Sequence, residues 1–212
     1  MTIHQRRTDT EKTQVGNYFG GDKRYYDQIS EHTIVKLYSG DCYVAQEHGE
    51  MLVTILGSCI SACIRDPLLQ LGGMNHFLLP ETSDKSVIGT SSSARFGAYA
   101  MEQLINELLK RGAVKSRLEA KVFGGGNVIA SSAMIGDKNV QFVRQFLKTE
   151  GIKIASEHLG GTSPRRIHYF PDTGKVMMRI LKRKEDMQII EEEKAYAKKL
   201  IAKPVEGDVE LF

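Results

Sequence analysis

The 212-residue chain has the composition of an ordinary globular protein, because 41% of its residues are hydrophobic and 26% are charged. These fractions exclude a wholly disordered, collagenous or disulfide-scaffold protein. Lysine and arginine number 29 against 26 acidic residues, an excess too small to indicate a nucleic-acid partner. The apolar runs are much shorter than the roughly 20 residues that span a bilayer. Because the N-terminal segment lacks the apolar core of a secretory signal, we expect a cytoplasmic protein.

The chain divides into three predicted parts. Residues 1–31 are sparse in apolar residues and predict an N-terminal arm. Residues 32–181 form a single predicted domain, which matches the usual domain length of about 100–200 residues. Residues 182–212 predict a highly charged, helical C-terminal tail.

The first half of the predicted domain consists of short strands separated by turns. Predicted strands occupy residues 33–38, 42–45 and 51–56, and a corner of small residues, Gly57-Ser58-Cys59, follows them. Residues 60–64 fit either a further strand or a short helix. The pair Gly72-Gly73 and the following proline indicate that residues 71–79 form an edge or bulged strand.

Two amphipathic helices characterise the second half. Apolar residues at helical spacing predict one helix through Met101–Leu109 that stops at Gly112, and a second over residues 137–149. Further strands are predicted at residues 118–122, 152–154, 166–170 and 175–181, the last two joined by a hairpin turn at Pro171–Gly174. This mixture favours an α+β fold over a doubly wound parallel sheet.

Cysteine 59 is the sharpest candidate for chemistry. It follows an apolar strand and a Gly-Ser pair, so a tight corner would project its sulfur into solvent while backbone N–H groups converge nearby. A thiol needs a base or a positive field to ionise at neutral pH. The nearest downstream histidine is His76, which strand pairing could bring within hydrogen-bond reach.

The same residues also have plain structural interpretations. Free cysteine is among the most buried residue types, so Cys59 fits either a nucleophile or a core residue, whereas Cys42 and Cys63 fit the core. The low, odd number of cysteines indicates reduced thiols rather than disulfides. A lone histidine such as His76 also fits a structural role.

Two further motifs have weaker functional interpretations. The spacing of Cys59, Cys63 and His76 could ligate zinc, but structural zinc sites usually have a second ligand pair, and the sequence lacks one. The run Gly124-Gly125-Gly126-Asn127 is neither a P-loop nor a dinucleotide fingerprint. It fits a backbone crossing that tolerates no side chains, or a loop beside the site. Residues 158–165 fit a turn or a rim in the same way.

Several motifs, taken in order, resemble the CheD family of chemoreceptor glutamine deamidases. The resemblance extends from Ile34 to Leu181 and leaves out the arm and the tail. It rests on Thr54–Cys59, Ala62–Pro67, Gly72–Pro80, Arg95–Gly97, Val122–Asn127, Ile135–Val140, Gly160-Gly161 and the turn Pro171–Gly174.

The resemblance implies an enzyme that converts glutamine side chains of methyl-accepting chemoreceptors to glutamate, in some members with receptor methylesterase activity. It implies a thiol mechanism without a metal or organic cofactor, and a phosphatase, CheC, as a further partner. The chain would meet the membrane only through its receptor. The implied fold is a β-sandwich-like core with helices packed outside, similar to the catalytic domain of cytotoxic necrotizing factor toxins.

Carried onto this sequence, the resemblance implies Cys59 as the nucleophile and His76 as the base. The family also has a threonine near the histidine, for which Thr54 is the candidate. Its spacing is ambiguous by one residue, and Val53 precedes it. A slip of one residue moves a strand side chain to the opposite face of a sheet, in which case a backbone carbonyl would orient the imidazole.

Two other hypotheses remain open at this point. The chain could be a non-enzymatic regulator that binds chemoreceptors or CheC, since its turn-rich loops suit partner contact. It could also be a zinc-stabilised module. Substitution or alkylation of Cys59 distinguishes the non-enzymatic regulator from the enzyme. Metal analysis of the purified protein tests the zinc-stabilised module.

Overall fold

The computed structural model describes residues 23–79, 92–128 and 133–181. The predicted C-terminal tail, most of the predicted loop over residues 81–93 and residues 1–22 of the arm lie outside these ranges. Within them no helix is long and apolar enough to span a membrane.

Within the described ranges, ten strands and two long helices form a mixed α+β fold. The elements are β1 (Lys23–Asp27), β2 (His32–Lys36), β3 (Cys42–Val44), β4 (Glu50–Leu56), β5 (Ile60–Asp66), β6 (Leu71–Asn75), α1 (Ser92–Lys110), β7 (Glu119–Gly124), α2 (Ala133–Thr149), β8 (Lys153–Leu159), β9 (Arg165–Phe170) and β10 (Lys175–Ile180). The α+β prediction is therefore confirmed. Residues 60–64, which fitted a strand or a helix, belong to strand β5.

The strands form two five-stranded sheets. The first sheet has the order β1-β2-β4-β9-β10, and the second has the order β3-β6-β5-β7-β8. Most pairs are antiparallel, but β2 pairs with β4 and β7 with β8 in parallel. Helix α2 makes the crossover between β7 and β8 that a parallel pair requires.

Alternating side chains place the second sheet between two cores. Ile60, Ala62 and Ile64 of β5 pack with the two helices, whereas Cys63 of β5, and Cys59 just before the strand, pack against the first sheet. This is the period of two expected of a strand. Because both faces of β5 are buried, its sequence is a nearly continuous apolar run. The order of layers is thus first sheet, second sheet, helices.

Two sequence predictions differ from the observed strands. The segment from residue 71 is not an edge strand, because β6 lies between β3 and β5. The two glycines of β6 are needed there: a Cβ at Gly73 would lie 2.6 Å from the carbonyl oxygen of Tyr43 on the neighbouring strand. Regular structure also starts earlier than predicted, since β1 lies within the predicted arm and pairs along its whole length with β2.

An ion pair between the buried Asp66 and the partly exposed Arg117 closes the end of β5. The Asp66 carboxylate is fully buried and accepts hydrogen bonds from the Arg117 guanidinium at 2.6 and 3.0 Å, and from the Val114 and Leu68 N–H groups. The hydrogen bonds from Arg117 hold the pKa of Asp66 at about 2, below its ordinary 3.8. The charged form is therefore favoured by folding.

Because of this pair, we expect the free energy of unfolding to decrease as the pH is lowered. A carboxyl group whose pKa is lowered by folding stabilises the protein above its unfolded pKa, and that contribution is lost as pH falls from about 4 to about 2. Asp66→Asn should cost about 2 kcal/mol of unfolding free energy at pH 7. Urea titrations at pH 7 and pH 2.5 measure this, and the difference from wild type should shrink in acid. Glu150→Gln, which removes an exposed pair with Lys115, should cost well under 1 kcal/mol. Equal losses for both variants would contradict the assignment.

Candidate functional site

The corner at residues 57–59 carries the chain from the first sheet to the second. Its carbonyl groups are held by the glycine loop, which we define as residues 124–127. The Gly126 N–H donates to Gly57 O at 2.7 Å, and the Gly125 N–H donates to Cys59 O at 2.8 Å. A Cβ at Gly124 would lie only 2.0 Å from Cys59 O. The interpretation of this loop as a backbone crossing without side chains is confirmed.

Histidine 76 follows β6 directly and lies beside the corner. Two backbone hydrogen bonds join Ile60 and Phe77, the residues next to Cys59 and His76, at 2.8 and 2.9 Å. The His76 N–H donates to Asp41 O at 2.9 Å, and its carbonyl accepts from the Gly40 N–H at 2.7 Å. Main-chain bonds therefore fix the backbone of His76 on both sides, and its side chain is buried.

Threonine 54 contacts the imidazole of His76. Its Oγ1 lies 2.8 Å from His76 Nδ1 and donates a hydrogen bond to Leu37 O at 2.8 Å. The single hydroxyl hydrogen is used on the carbonyl, so the hydroxyl accepts from Nδ1–H. That arrangement leaves the hydrogen of a neutral imidazole on Nδ1 and makes Nε2 the basic nitrogen. Of the two residues left open by the spacing, Thr54 rather than Val53 meets the histidine.

Serine 39 completes the cluster. Its Oγ lies 3.4 Å from Cys59 Sγ and 3.1 Å from His76 Nε2, so one hydroxyl touches both groups. Serine 39 occupies a turn closed by a 2.9 Å bond from the Asp41 N–H to Tyr38 O, in which Gly40 has φ +94°. The sequence predicted this turn, but the contact of Ser39 with residues 20 and 37 positions away was missed.

The expected exposure of the sulfur is not observed. Cysteine 59 is 0% exposed and His76 is 4% exposed, because the residues around them, Ser39 included, close over the corner. A small cleft lies against His76, between the turn at residues 40–42 and one face of helix α1. Phe96, Tyr99 and Gln103 line its helical side.

The other two cysteines lie in the cores, as predicted. Cys42 packs towards the helices and Cys63 between the sheets, and all three cysteines are free thiols. Burial raises the pKa of Cys42 to about 12, with a further contribution from Glu107. Burial raises the pKa of Cys63 further still. Neither thiol therefore has the environment of a nucleophile.

No metal centre is evident where the chain is described. Among residues 23–79, 92–128 and 133–181, no group of three or more His, Cys, Asp or Glu side chains is arranged to hold an ion.

Residues 158–165 are hydrogen-bonded to the glycine loop. The Arg165 guanidinium is buried and donates to His158 O at 2.6 Å, to Gly160 O and to Ser163 O at 3.3 Å. The Gly160 N–H in turn donates to Gly124 O at 2.9 Å. Burial lowers the pKa of Arg165. This segment is a turn held by an arginine, which agrees with the first of its two predicted interpretations.

Asparagine 139 is a second residue that the sequence did not single out. It lies on α2, is 0% exposed, and donates from Nδ2 to Ser58 O at 2.8 Å. Its Oδ1 accepts the Leu79 N–H at 3.0 Å. The motif Ile135–Val140 contributed to the family resemblance, but nothing in its spacing indicated contact with a corner 81 residues earlier.

Comparison with known sequences identifies the family. A protein from Rhodopseudomonas palustris (strain BisA53), named as a probable chemoreceptor glutamine deamidase CheD, is 50% identical over 190 residues, covering 90% of this chain and 89% of the relative. The chain belongs to the CheD family. A CheD relative from Janthinobacterium sp. (strain Marseille) is 47% identical over 89% of this chain and 93% of its own, and one from Herminiimonas arsenicoxydans is 46% identical with the same coverage.

The family model and the solved structures cover less of the chain. The CheD model, described as CheD chemotactic sensory transduction, matches residues 78–180, which begin just after His76. Among solved structures, the Bacillus licheniformis hypothetical protein YfiH is 16% identical, with a TM-score of 0.37 over 66% of this chain and 62% of that chain. Neisseria meningitidis protein NMB0706 is 10% identical, with a TM-score of 0.36 over 61% and 63% of the two chains.

Proposed function

We propose that this CheD-family protein hydrolyses the side-chain amide of chemoreceptor glutamines, with Cys59 as nucleophile and His76 as general base. The names of its relatives support the substrate class and the reaction. One observation carries the assignment of residues: the Thr54 hydroxyl accepts from His76 Nδ1, while Nε2 and Cys59 Sγ share a contact with Ser39 Oγ. The basic nitrogen of the imidazole thus faces the thiol.

The chemical steps follow from this arrangement. His76 Nε2 takes the proton of Cys59, and the thiolate attacks the carboxamide carbon of the substrate. The tetrahedral oxyanion collapses when the imidazolium gives its proton to the leaving nitrogen, which departs as ammonia. The product is a γ-glutamyl thioester on Cys59. His76 then deprotonates a water molecule that attacks the thioester, which releases glutamate and returns the proton to the thiol.

Substrate must take the place of the Ser39 hydroxyl. A carboxamide attacked by Sγ and protonated from Nε2 has to lie between these two atoms, where Ser39 Oγ now contacts both. The cleft against His76 is the nearest space for the rest of the glutamine side chain. Because Cys59 is 0% exposed, the turn at residues 38–41 has to shift when a receptor helix binds.

Several finer predictions belong to this proposal. Hydrolysis of receptor methyl esters would pass through the same thioester and is proposed as a side activity. CheC remains a proposed partner, the cytoplasm a proposed location, and the fold relation to cytotoxic necrotizing factor toxins a proposed one. The boundaries of the arm at residue 31 and of the tail at residue 182 also stay predictions.

Peptide mapping tests the reaction. The purified full chain is incubated with the cytoplasmic fragment of a chemoreceptor from the same organism, and tryptic peptides are compared by mass spectrometry with a sample lacking the protein. We expect glutamine-to-glutamate conversion at particular receptor sites, above the slow spontaneous background. The proposal is wrong if no receptor fragment of that organism is converted above background.

The role of Thr54 gives a second prediction. Thr54→Val keeps the shape of the side chain but removes the hydroxyl, so the imidazole loses the partner that fixes its tautomer. We expect kcat/KM for deamidation to fall at least about 10-fold, a part of what general base catalysis contributes. Thr54→Ser, which retains the hydroxyl, should recover most of the activity. Since Leu37 O would lose a donor, both variants are assayed well below their melting temperatures. Equal activity of the two variants would contradict the role.

A further inference from the structure

A buried amide ties the segment of the nucleophile to that of the base. Asn139 Nδ2 donates to Ser58 O at 2.8 Å, and Asn139 Oδ1 accepts the Leu79 N–H at 3.0 Å. The first contact is on the residue before Cys59, and the second is three residues after His76. The side chain is 0% exposed, so water does not compete for these bonds.

The bond to Ser58 O sets the direction of the next N–H group. A peptide bond is planar, and the peptide bonds of the described chain are not cis, so Ser58 O and the Cys59 N–H point in opposite directions. Fixing the carbonyl towards α2 therefore fixes the Cys59 N–H on the side away from α2. An N–H group of the nucleophilic residue is a common donor to the oxyanion in acyl transfer.

Helix α2 is seated closely enough to hold this orientation. A Cβ at Gly136 would lie 2.6 Å from Gly125 O, so the first turn of α2 touches the glycine loop. Asn139 is three residues further on and shares that face of the helix. The same loop holds the carbonyls on either side of Ser58, through Gly126 on Gly57 and Gly125 on Cys59. Three consecutive carbonyls of the corner are thus held from one side.

We infer that Asn139 is a positioning residue for deamidation: its donor fixes the Ser58–Cys59 peptide so that the Cys59 N–H is aimed at the developing oxyanion. This inference rests on the proposed function. It does not require contact between Asn139 and the substrate. Its effect belongs to the transition state, because the charge on the substrate oxygen appears only there.

Two substitutions separate the donor from the acceptor. Asn139→Leu removes both bonds, whereas Asn139→Asp keeps an acceptor for the Leu79 N–H but, at pH 8 where carboxyl groups are ordinarily ionised, has no hydrogen for Ser58 O. We expect kcat to fall about 10²-fold in both variants, the lower end of the effect of losing one oxyanion donor, with KM within about 3-fold of wild type. Asp66→Asn, a buried polar substitution at the far end of β5, controls for general destabilisation and should keep kcat.

Alkylation of Cys59 distinguishes a positioning role of Asn139 from a merely structural one. A structural role would lower the alkylation rate and kcat together. Reaction of a thiolate with iodoacetamide forms no oxyanion, so its rate reports the thiol, His76 and access past the turn at residues 38–41, but not the oxyanion donor. We expect both Asn139 variants to be alkylated at Cys59 within about 3-fold of the wild-type rate while kcat is lost. A parallel fall of alkylation and kcat would overturn the inference, as would activity of Asn139→Asp close to wild type. If wild type itself converts no receptor glutamine, the proposed function fails and this inference with it.

Discussion

Cys59→Ser should abolish deamidation while leaving the protein folded. The hydroxyl of serine is a far poorer nucleophile than a thiolate, and loss of a nucleophile that acts with a base typically costs at least about 10³-fold in kcat. The fold should tolerate the change, because a serine hydroxyl can bond to the same neighbours, Ser39 Oγ among them. Conversion of receptor glutamines, followed by mass spectrometry, and thermal unfolding are the two measurements.

The other two cysteines are the matched controls. Cys42→Ala and Cys63→Ala remove equally buried thiols from the helical and the inter-sheet core. Each should lower stability by about 1 kcal/mol. Cys63→Ala should keep kcat close to wild type and is the activity control, because Cys42 lines the cleft proposed for the substrate. In wild type, iodoacetamide at neutral pH should label Cys59 first, since His76 can take its proton when the turn at residues 38–41 shifts, whereas burial raises the pKa values of Cys42 and Cys63. Full deamidase activity of Cys59→Ser would exclude a thiol enzyme. If neither wild type nor Cys59→Ser converted receptor glutamines and Cys59→Ser still regulated the receptor in cells, the binding-only hypothesis would replace the enzyme.

Gly124→Ala should be among the most damaging single-methyl substitutions in the domain. The residue has φ +115°, and a Cβ there would lie 2.0 Å from Cys59 O. The left-handed conformation and the overpacking together should cost about 2–5 kcal/mol. Because the displaced atom belongs to the corner, the remaining folded protein should also lose deamidase activity. Urea unfolding and activity per folded molecule are measured together.

Gly112→Ala separates backbone strain from the clash. Gly112 has φ +94°, comparable to Gly124, but a Cβ there meets nothing within 4 Å. It should cost only about 1–2 kcal/mol and leave kcat unchanged. If the two alanine variants were equally stable and equally active, the close approach of the glycine loop to the corner would be unimportant for the site.

Local sequence signals predicted most of the elements, because the forces that define them are local. The helix through Met101–Leu109 and its stop at Gly112 follow from side-chain spacing and from a φ that favours glycine. The hairpin around Pro171–Gly174 follows from turn chemistry, and β9 and β10 pair across it. Such features need no knowledge of the rest of the chain.

The arrangement of the strands was not predictable in the same way. Gly72 and Gly73 indicated an edge or bulged strand, but they belong to a crowded interior strand, where β3 and β5 approach from both sides. Glycine marks a close approach of backbone without saying whether the neighbour is solvent, a ligand or another strand. The parallel pairing of β2 with β4 likewise depends on tertiary packing.

The candidate site was predicted in part. Cys59, His76 and Thr54 were identified, and the structure brings Thr54 and His76 to 2.8 Å. Ser39 and Asn139 were missed because their partners are 20 and 81 residues away. Neither residue lies in a motif whose residue types alone indicate a catalytic role. The choice between Thr54 and Val53 could be made only once the register of β4 was known.

The hydrogen bond between Thr54 and His76 runs from one layer of the molecule to the other, since Thr54 belongs to β4 of the first sheet and His76 follows β6 of the second. The rate of turnover should therefore depend on how the two sheets pack against each other. A substitution in the apolar layer between the sheets, at Leu52 or Ile167 for example, would shift the imidazole of His76 relative to Thr54 without contacting any substrate. Drift in this layer offers evolution a way to adjust the rate of the proposed deamidation while the exposed surface of the protein stays the same.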